Sequence, residues 1–237
     1  MKKAALVTGA AKRIGRVIAL HLASLGFDIA LHYNTSPEDA QSTNKEILKR
    51  GVDCRLFRCD LTKTSAASRL ISSVKKEFPH LNFLINSASF FEKSDFTLKS
   101  LNQLDKNFNV HLNAPYILTS EFARLVRKGQ VINILDTNVL KNKTPYFNYL
   151  LSKKSLAELT KLAAVRLAPH IRVNAIAPGL ILPPAGLGQD HLKRLAQNIP
   201  LKEKGSPEHI SQTVEFLIQN DFITGQTIFV DGGEHLI

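Results

Sequence analysis

Cysteine is scarce: Cys54 and Cys59 are the only two in 237 residues. One pair is too few to staple a chain of this length, and its spacing fits no zinc-ligand pattern. A reducing, cytoplasmic compartment is expected. Long hydrophobic runs are missing too. Met1-Lys2-Lys3 ahead of the apolar stretch Ala4–Ala11 imitates a secretory leader, but Lys12 and Arg13 end the stretch before an h-region is complete. Residues 173–188 are apolar yet interrupted by Asn174, prolines and glycines, too short and broken to span a bilayer. Blocks of one charge sign are also absent. Lys and Arg number 31 against 20 Asp and Glu, a surplus of +11, but the bases are spread without a run of five. That spread argues for a solvated surface and against a nucleic-acid footprint. The surplus still favours anionic small molecules such as nucleotide phosphates. The remainder, 44% hydrophobic and 22% charged, is ordinary globular composition, which excludes wholesale disorder and a collagen-like fibre.

What is present is alternation. Ala4–Thr8, Asp28–Tyr33, Cys54–Cys59, Phe83–Asn86, Val131–Leu135, Ile171–Ile176 and Thr227–Val230 are short apolar runs rich in Val, Ile, Leu and Phe. Such runs read as strands covered on both faces, as in a parallel sheet. Between them lie stretches of helical period. Ile14, Val17, Ile18, His21, Leu22 and Leu25 share one face and stop at Gly26. Ser36-Pro37 is a good helix start for a segment reaching Arg50. Further helices are expected at Thr64–Phe78, Lys106–Arg127, Phe147–Leu167 and Pro207–Gln219. No repeat, linker or low-complexity tract divides the chain, so a single domain over 1–237 is expected. Strand–helix alternation predicts an α/β fold, a doubly wound, Rossmann-type parallel sheet of seven strands with helices on both faces. Pro178–Pro207, rich in proline and glycine, gives little strand signal and is a candidate substrate lid, centred on residues 180–206.

The first strand runs into Thr8-Gly9-Ala10-Ala11-Lys12-Arg13-Ile14-Gly15. Glycines at a strand-to-helix turn let the backbone approach a pyrophosphate, and the helix N-terminus offers free N–H groups and a positive dipole end. Such turns also occur for packing reasons alone. The second strand ends Leu31-His32-Tyr33-Asn34-Thr35-Ser36, with no acid to take a ribose 2′-hydroxyl. Arg13 sits in the turn instead, and a guanidinium binds a 2′-phosphate bidentately. NADPH is the cofactor inferred; the alternative is that Lys12 and Arg13 are solvated turn residues.

Further along, Tyr149 and Lys153 lie one helical turn apart on a shared face. A free phenol has a pKa near 10, and a neighbouring ammonium would lower it. A surface tyrosine beside a solvated lysine is the bland alternative. Asp136 ends the fifth strand, where it is either a proton-handling group or simply a cap.

Thr8-Gly9…Arg13-Ile14-Gly15, Asn86-Ser87-Ala88-Ser89, Tyr149-x-x-x-Lys153, Arg172-Val173-Asn174-Ala175-Ile176-Ala177-Pro178-Gly179 and Asp231-Gly232-Gly233 occur in this order. Together they resemble the short-chain dehydrogenase/reductase family across essentially the whole chain. Arg13 in place of the usual middle glycine, the His32-Tyr33 stretch, Asn-x-Ala-Ser and an aspartate at the usual serine position look like its pteridine reductase branch, dihydromonapterin and dihydrofolate reductases included. The resemblance implies that Tyr149 exchanges the substrate proton, that Lys153 holds the nicotinamide ribose and that Asp136 relays a proton. It implies cofactor contacts at Gly9, Arg13, Ile14, Gly15, Tyr33, Asn34, Thr35, Ser36, Asp60, Leu61, Asn86, Ser87, Ala88, Pro178, Gly179 and Leu180. Ser89 and Phe91 would meet the substrate, Phe91 by stacking on a flat pterin, whereas Phe90 reads as core. His111 stands where the family has an asparagine and is either catalytic or a satisfied core histidine. Thr35 stands where the branch often has arginine. No metal is implied, and a homotetramer is.

The expected activity is NADPH-dependent reduction of a dihydropterin or dihydrofolate. An ionised carboxylate accepts but cannot donate, so Asp136 would repel a developing alkoxide. This counts against the alternative, a carbonyl reductase of the 3-oxoacyl thioester type. A non-catalytic NADPH-binding sensor is the third reading, and the intact Tyr149/Lys153 pair counts against it.

Overall fold

A computed structural model describes residues 2–142, 144–183 and 188–237. Seven strands form one sheet: β1 (Lys3–Val7), β2 (Phe27–Tyr33), β3 (Cys54–Arg58), β4 (Leu81–Asn86), β5 (Gly129–Ile134), β6 (Ile171–Pro178) and β7 (Thr227–Val230). Their order is β3-β2-β1-β4-β5-β6-β7, and every pairing is parallel. The chain therefore winds outward twice from β1 and β4, and the carboxyl ends of all strands open on one edge. The helices are α1 (Arg13–Ser24), α2 (Pro37–Leu48), α3 (Thr64–Glu77), α4 (Leu101–Phe108), α5 (Ala114–Leu125), α6 (Phe147–Leu167), α7 (Gln189–Ala196) and α8 (Pro207–Gln219).

Strand residues alternate between two buried layers. Ala5 and Val7 of β1, with Ile29 and Leu31 of β2, pack beneath Ile18 and Leu22 of α1 and Ile210 and Val214 of α8. Ala4, Leu6 and Ala30 face the other way, against Ile71 and Val74 of α3 and Leu118 and Phe122 of α5. Both faces are apolar, which is why the strands read as continuous hydrophobic runs.

One expected helix is divided in two. The segment Lys106–Arg127 is not one helix: α4 begins earlier, at Leu101, and a π turn at Asn109–Asn113 separates it from α5. Pro115 explains the break, since it has no N–H for the His111 carbonyl and its ring displaces that carbonyl. The candidate lid contains α7, an amphipathic helix burying Leu192 and Ala196; its residues 184–187 lie outside those described. Among the described residues no helix is long and apolar enough to cross a membrane.

Candidate active site

The turn after β1 is stitched to the end of β4. The Thr8 hydroxyl accepts from the backbone N–H of Ser87 at 2.9 Å and of Ala88 at 3.0 Å. Gly9 has φ +65°, and a Cβ there would stand 2.8 Å from the Ala88 Cα. A Cβ on Gly15 would stand 2.4 Å from the Gly9 carbonyl oxygen. Gly9 is thus demanded by the backbone that follows β4, and Gly15 by the backbone of the turn itself. Arg13 holds φ +56° without being glycine, a conformation costing roughly 1–2 kcal/mol for an L-residue. Its guanidinium donates to the Pro183 carbonyl at 2.8 Å, tying this turn to the segment after β6. Ile14 follows it in α1, whose N-terminus has no side-chain cap.

His32, which sequence reasoning left without a role, is the hinge of this end. Its Nδ1 accepts the Gly9 N–H at 3.1 Å, its carbonyl accepts the Ala10 N–H at 2.9 Å, and its Nε2 reaches the Cys59 carbonyl at 3.0 Å. Since Nδ1 accepts, Nε2 carries the proton and donates. Burial pushes its pKa down to about 4. A lone histidine amid the apolar residues of β2 was the available signal.

Tyr33 is half-buried at the β2 tip, with Asn34 and Thr35 exposed and Ser36 leading into Pro37 of α2. Asp60 turns to its own loop, accepting from Thr62 N–H at 3.0 Å and Thr62 Oγ1–H at 2.7 Å, which lowers its pKa. Leu61 beside it is buried. Gly179, between Pro178 and Leu180, donates to the Val230 carbonyl at 3.1 Å and lies flush against Asp231, whose Cβ is 2.5 Å from where its own would be. The Asp231 carboxylate in turn accepts from Thr137 and from the His235 N–H and ring. The C-terminal Asp-Gly-Gly turn thereby anchors the loop carrying Asp136, a second tie the sequence did not disclose.

At the end of β5 and the start of α6 the reacting groups meet. The Tyr149 hydroxyl donates to Asp136 Oδ2 at 3.0 Å. Asp136 Oδ1 accepts from the Asn138 backbone N–H at 2.8 Å and its side-chain amide at 2.7 Å. Asp136 is thus the cap of the turn Thr137–Leu140 and also the partner of the phenol. Lys153, buried, donates to the Ile134 carbonyl at 2.7 Å. Burial pushes its pKa down to about 8, against the pull of Asp136. The expectation for Tyr149 reverses in the chain alone: burial first, then the Asp136 charge, holds its pKa well above 10.0. The ammonium is committed to a backbone carbonyl, 5.8 Å from the Tyr149 ring centre, whereas the carboxylate accepts directly from the phenol.

His111, in the π turn, is buried and sits edge-on to Tyr149 with ring centres 5.3 Å apart. It bonds Ser89 at 3.1 Å, the Phe90 N–H at 3.3 Å and Ser152 at 3.0 Å. Phe90 is half-buried between the His111 ring and the Lys106 ammonium, 4.9 and 4.3 Å away, rather than in the core as expected. Phe91 stacks on Tyr146 with centres 4.0 Å apart and meets Tyr149 edge-on at 4.8 Å, and remains 43% exposed. Asn86 ends β4 with its amide on Asn133 at 2.8 Å and its buried Oδ1 without a partner among the described residues. Every site residue expected from sequence therefore lies at the carboxyl edge of the sheet. Among the described residues no His/Cys/Asp/Glu group is arranged to hold a metal.

A family model described as enoyl-(acyl carrier protein) reductase matches residues 9–235. The chain belongs to the short-chain dehydrogenase/reductase family. It is 34% identical to FolM alternative dihydrofolate reductase 1 from Brucella canis, solved in complex with NADP, with TM-score 0.94 over 99% of this chain and 94% of that one. It is 33% identical to the 3-oxoacyl-[acyl-carrier-protein] reductase FabG of Staphylococcus epidermidis over the full length of both. It is 30% identical to the acetoin dehydrogenase YohF of Salmonella typhimurium, with TM-score 0.90 over 100% of this chain and 98% of that one. The chain is thus similar to dehydrogenases and reductases of different substrates.

Proposed function

We propose that this oxidoreductase reduces a dihydropterin or dihydrofolate to the tetrahydro form with NADPH. One observation carries the reading: the phenol of Tyr149 is bonded to a carboxylate, Asp136, at the position where carbonyl reductases of the family have a serine. A carboxylate repels a ketone's developing alkoxide, whereas it accepts from the N–H and amino groups of a pterin. With Tyr149 on one lone pair of Oδ2, a second lone pair remains for such a donor. The likeness to FolM supports the same reading.

The residues present fit NADPH. The N-terminus of α1 is free of side-chain caps, the β2 tip has no acid, and the buried Asn86 Oδ1 lacks a partner among the described residues. Gly9, Ile14, Gly15, Asn86, Ser87 and Ala88 would border its phosphates and ribose, Arg13 with Asn34, Thr35 and Ser36 its 2′-phosphate, and Leu61 with Asp60 and Tyr33 its adenine end. Lys153 would hold the nicotinamide ribose, beside Pro178, Gly179 and Leu180. Bound NADPH supplies the hydride. Tyr149 gives its proton to the ring nitrogen, Asp136 holds the phenol in line, and Phe91 flanks the flat substrate. The whole chain would act as one catalytic domain in a homotetramer. Buried, unpaired Cys54 and Cys59 support a cytoplasmic setting.

A 3-oxoacyl thioester reductase is the second reading, favoured by the likeness to FabG. NADPH oxidation followed in parallel with dihydrobiopterin, dihydrofolate and acetoacetyl thioester separates the two. Turnover of a dihydropteridine is expected; oxidation with the thioester alone would overturn the proposal, and binding without turnover would leave a sensor.

A further inference from the structure

Around Tyr149 runs a short hydrogen-bonded chain whose proton directions are fixed. It ends at the Tyr149 main-chain carbonyl, which accepts from Ser152 Oγ–H at 2.7 Å. A serine hydroxyl has one hydrogen, so toward His111 Ser152 only accepts, and His111 Nδ1, 3.0 Å away, must carry the proton. Burial, reinforced by the Lys153 charge, holds His111 neutral by lowering its pKa well below the ordinary value. Nε2 is then a bare lone pair. Two donors converge on it, the Phe90 N–H at 3.3 Å and the Ser89 hydroxyl at 3.1 Å. One lone pair cannot serve both fully. Ser89 has an alternative, because the His111 ring that it bonds lies edge-on to Tyr149, with ring centres 5.3 Å apart, and from there its hydroxyl works against burial and Asp136 to favour the ionised phenol.

We propose that the Ser89 hydroxyl is a two-position donor, resting on His111 Nε2 while Tyr149 is protonated and turning to the Tyr149 oxygen when the phenol gives up its proton. His111 is the positioning residue, with the Phe90 N–H keeping Nε2 occupied after Ser89 has turned. The inference rests on the reading that Tyr149 exchanges the substrate proton. In that step the Tyr149 O–H bond breaks, the substrate gains the proton, and the electron pair left on the phenol oxygen accepts the Ser89 hydrogen without proton transfer from Ser89. The groups facing the phenol are Asp136 after β5, Lys153 of α6, His111 of the π turn and the Phe91 ring after β4. Asp136 opposes the phenolate and Lys153 is bonded elsewhere, which among the described residues leaves Ser89 as the donor free to move.

The two residues then act in opposite senses. Ser89→Ala removes the donor and should raise the Tyr149 pKa by about one to two pH units, the worth of a hydrogen bond to a charged group. His111→Phe removes the competing acceptor and should lower it. The double variant should match Ser89→Ala. Titration of the phenolate ultraviolet band in the NADP+ complex, taken as a difference from Tyr149→Phe, reads this without any substrate. Ser89→Thr, which keeps a hydroxyl on an exposed position, should titrate as the native chain does, and stands if His111→Phe fails to fold. Shifts of the same sign in both single variants, or no shift in Ser89→Ala, would overturn the proposal. A chain that titrates as expected yet reduces no dihydropteridine keeps this inference and loses the substrate reading.

Discussion

Asp136 gives each of its oxygens a different task. Oδ1 caps the turn through Asn138, and Oδ2 receives the phenol. Asp136→Ser keeps a cap, because serine also accepts from a backbone N–H, and gives Tyr149 a neutral neighbour that can donate. Dihydropterin reduction should fall roughly 10²–10⁴-fold, the usual worth of a positioned acid–base group, while any activity on acetoacetyl thioester should rise. Steady-state kcat/KM on both substrates checks this; unchanged pterin reduction would remove Asp136 from the chemistry. The pair of Tyr149 and Asp136 was legible in sequence as candidates thirteen positions apart. That Lys153 spends its ammonium on the Ile134 carbonyl was not, because strand and helix meet there only in the fold.

Among elements, the dinucleotide-type turn owes its shape to β2. Among the described residues His32 is the side chain that bridges the Gly9 N–H and the Cys59 carbonyl, so His32→Leu leaves one part-buried and one buried backbone group unpaired. The expected loss is about 1–3 kcal/mol for each such group, read as a lower urea midpoint at pH 7. The native chain should also lose stability as pH falls. Its His32 stays neutral down to about 4, whereas the unfolded residue binds a proton from about 6.5. Stability is therefore complete above the unfolded value and declines through the window down to 4. The variant should lack that part of the slope. The central strands were readable because both of their faces are covered, which leaves apolar runs, whereas the edge strands β3 and β7 are only partly buried and were read from their Val, Ile, Leu and Phe content. The break between α4 and α5 was written in Pro115 but hidden by the helical period on either side. Helix α7 was missed because the prolines and glycines around it mark loop more loudly than its eight residues mark helix.

At the scale of the whole molecule, apolar side chains remain outside. Leu162 and Val165 on α6 are 71% and 82% exposed, with Leu151 on the same helix and Tyr116 on α5 also uncovered. Burial against another copy would remove them from water at about 25 cal/mol per Å². The proposed homotetramer predicts a light-scattering mass four times the 26.3 kDa chain. Leu162→Glu with Val165→Glu should shift it to smaller species without unfolding them, and a native mass of one chain would refute the assembly.

The hydrogen on His111 Nδ1 is enclosed on every side, pointing at a hydroxyl that itself points at a main-chain oxygen. Such a hydrogen exchanges slowly with deuterated solvent and resonates far downfield of the amide envelope. The imidazole is thereby a built-in spectroscopic beacon a few ångströms from the phenol, able to register ligand arrival in a chain that carries no tryptophan to fluoresce.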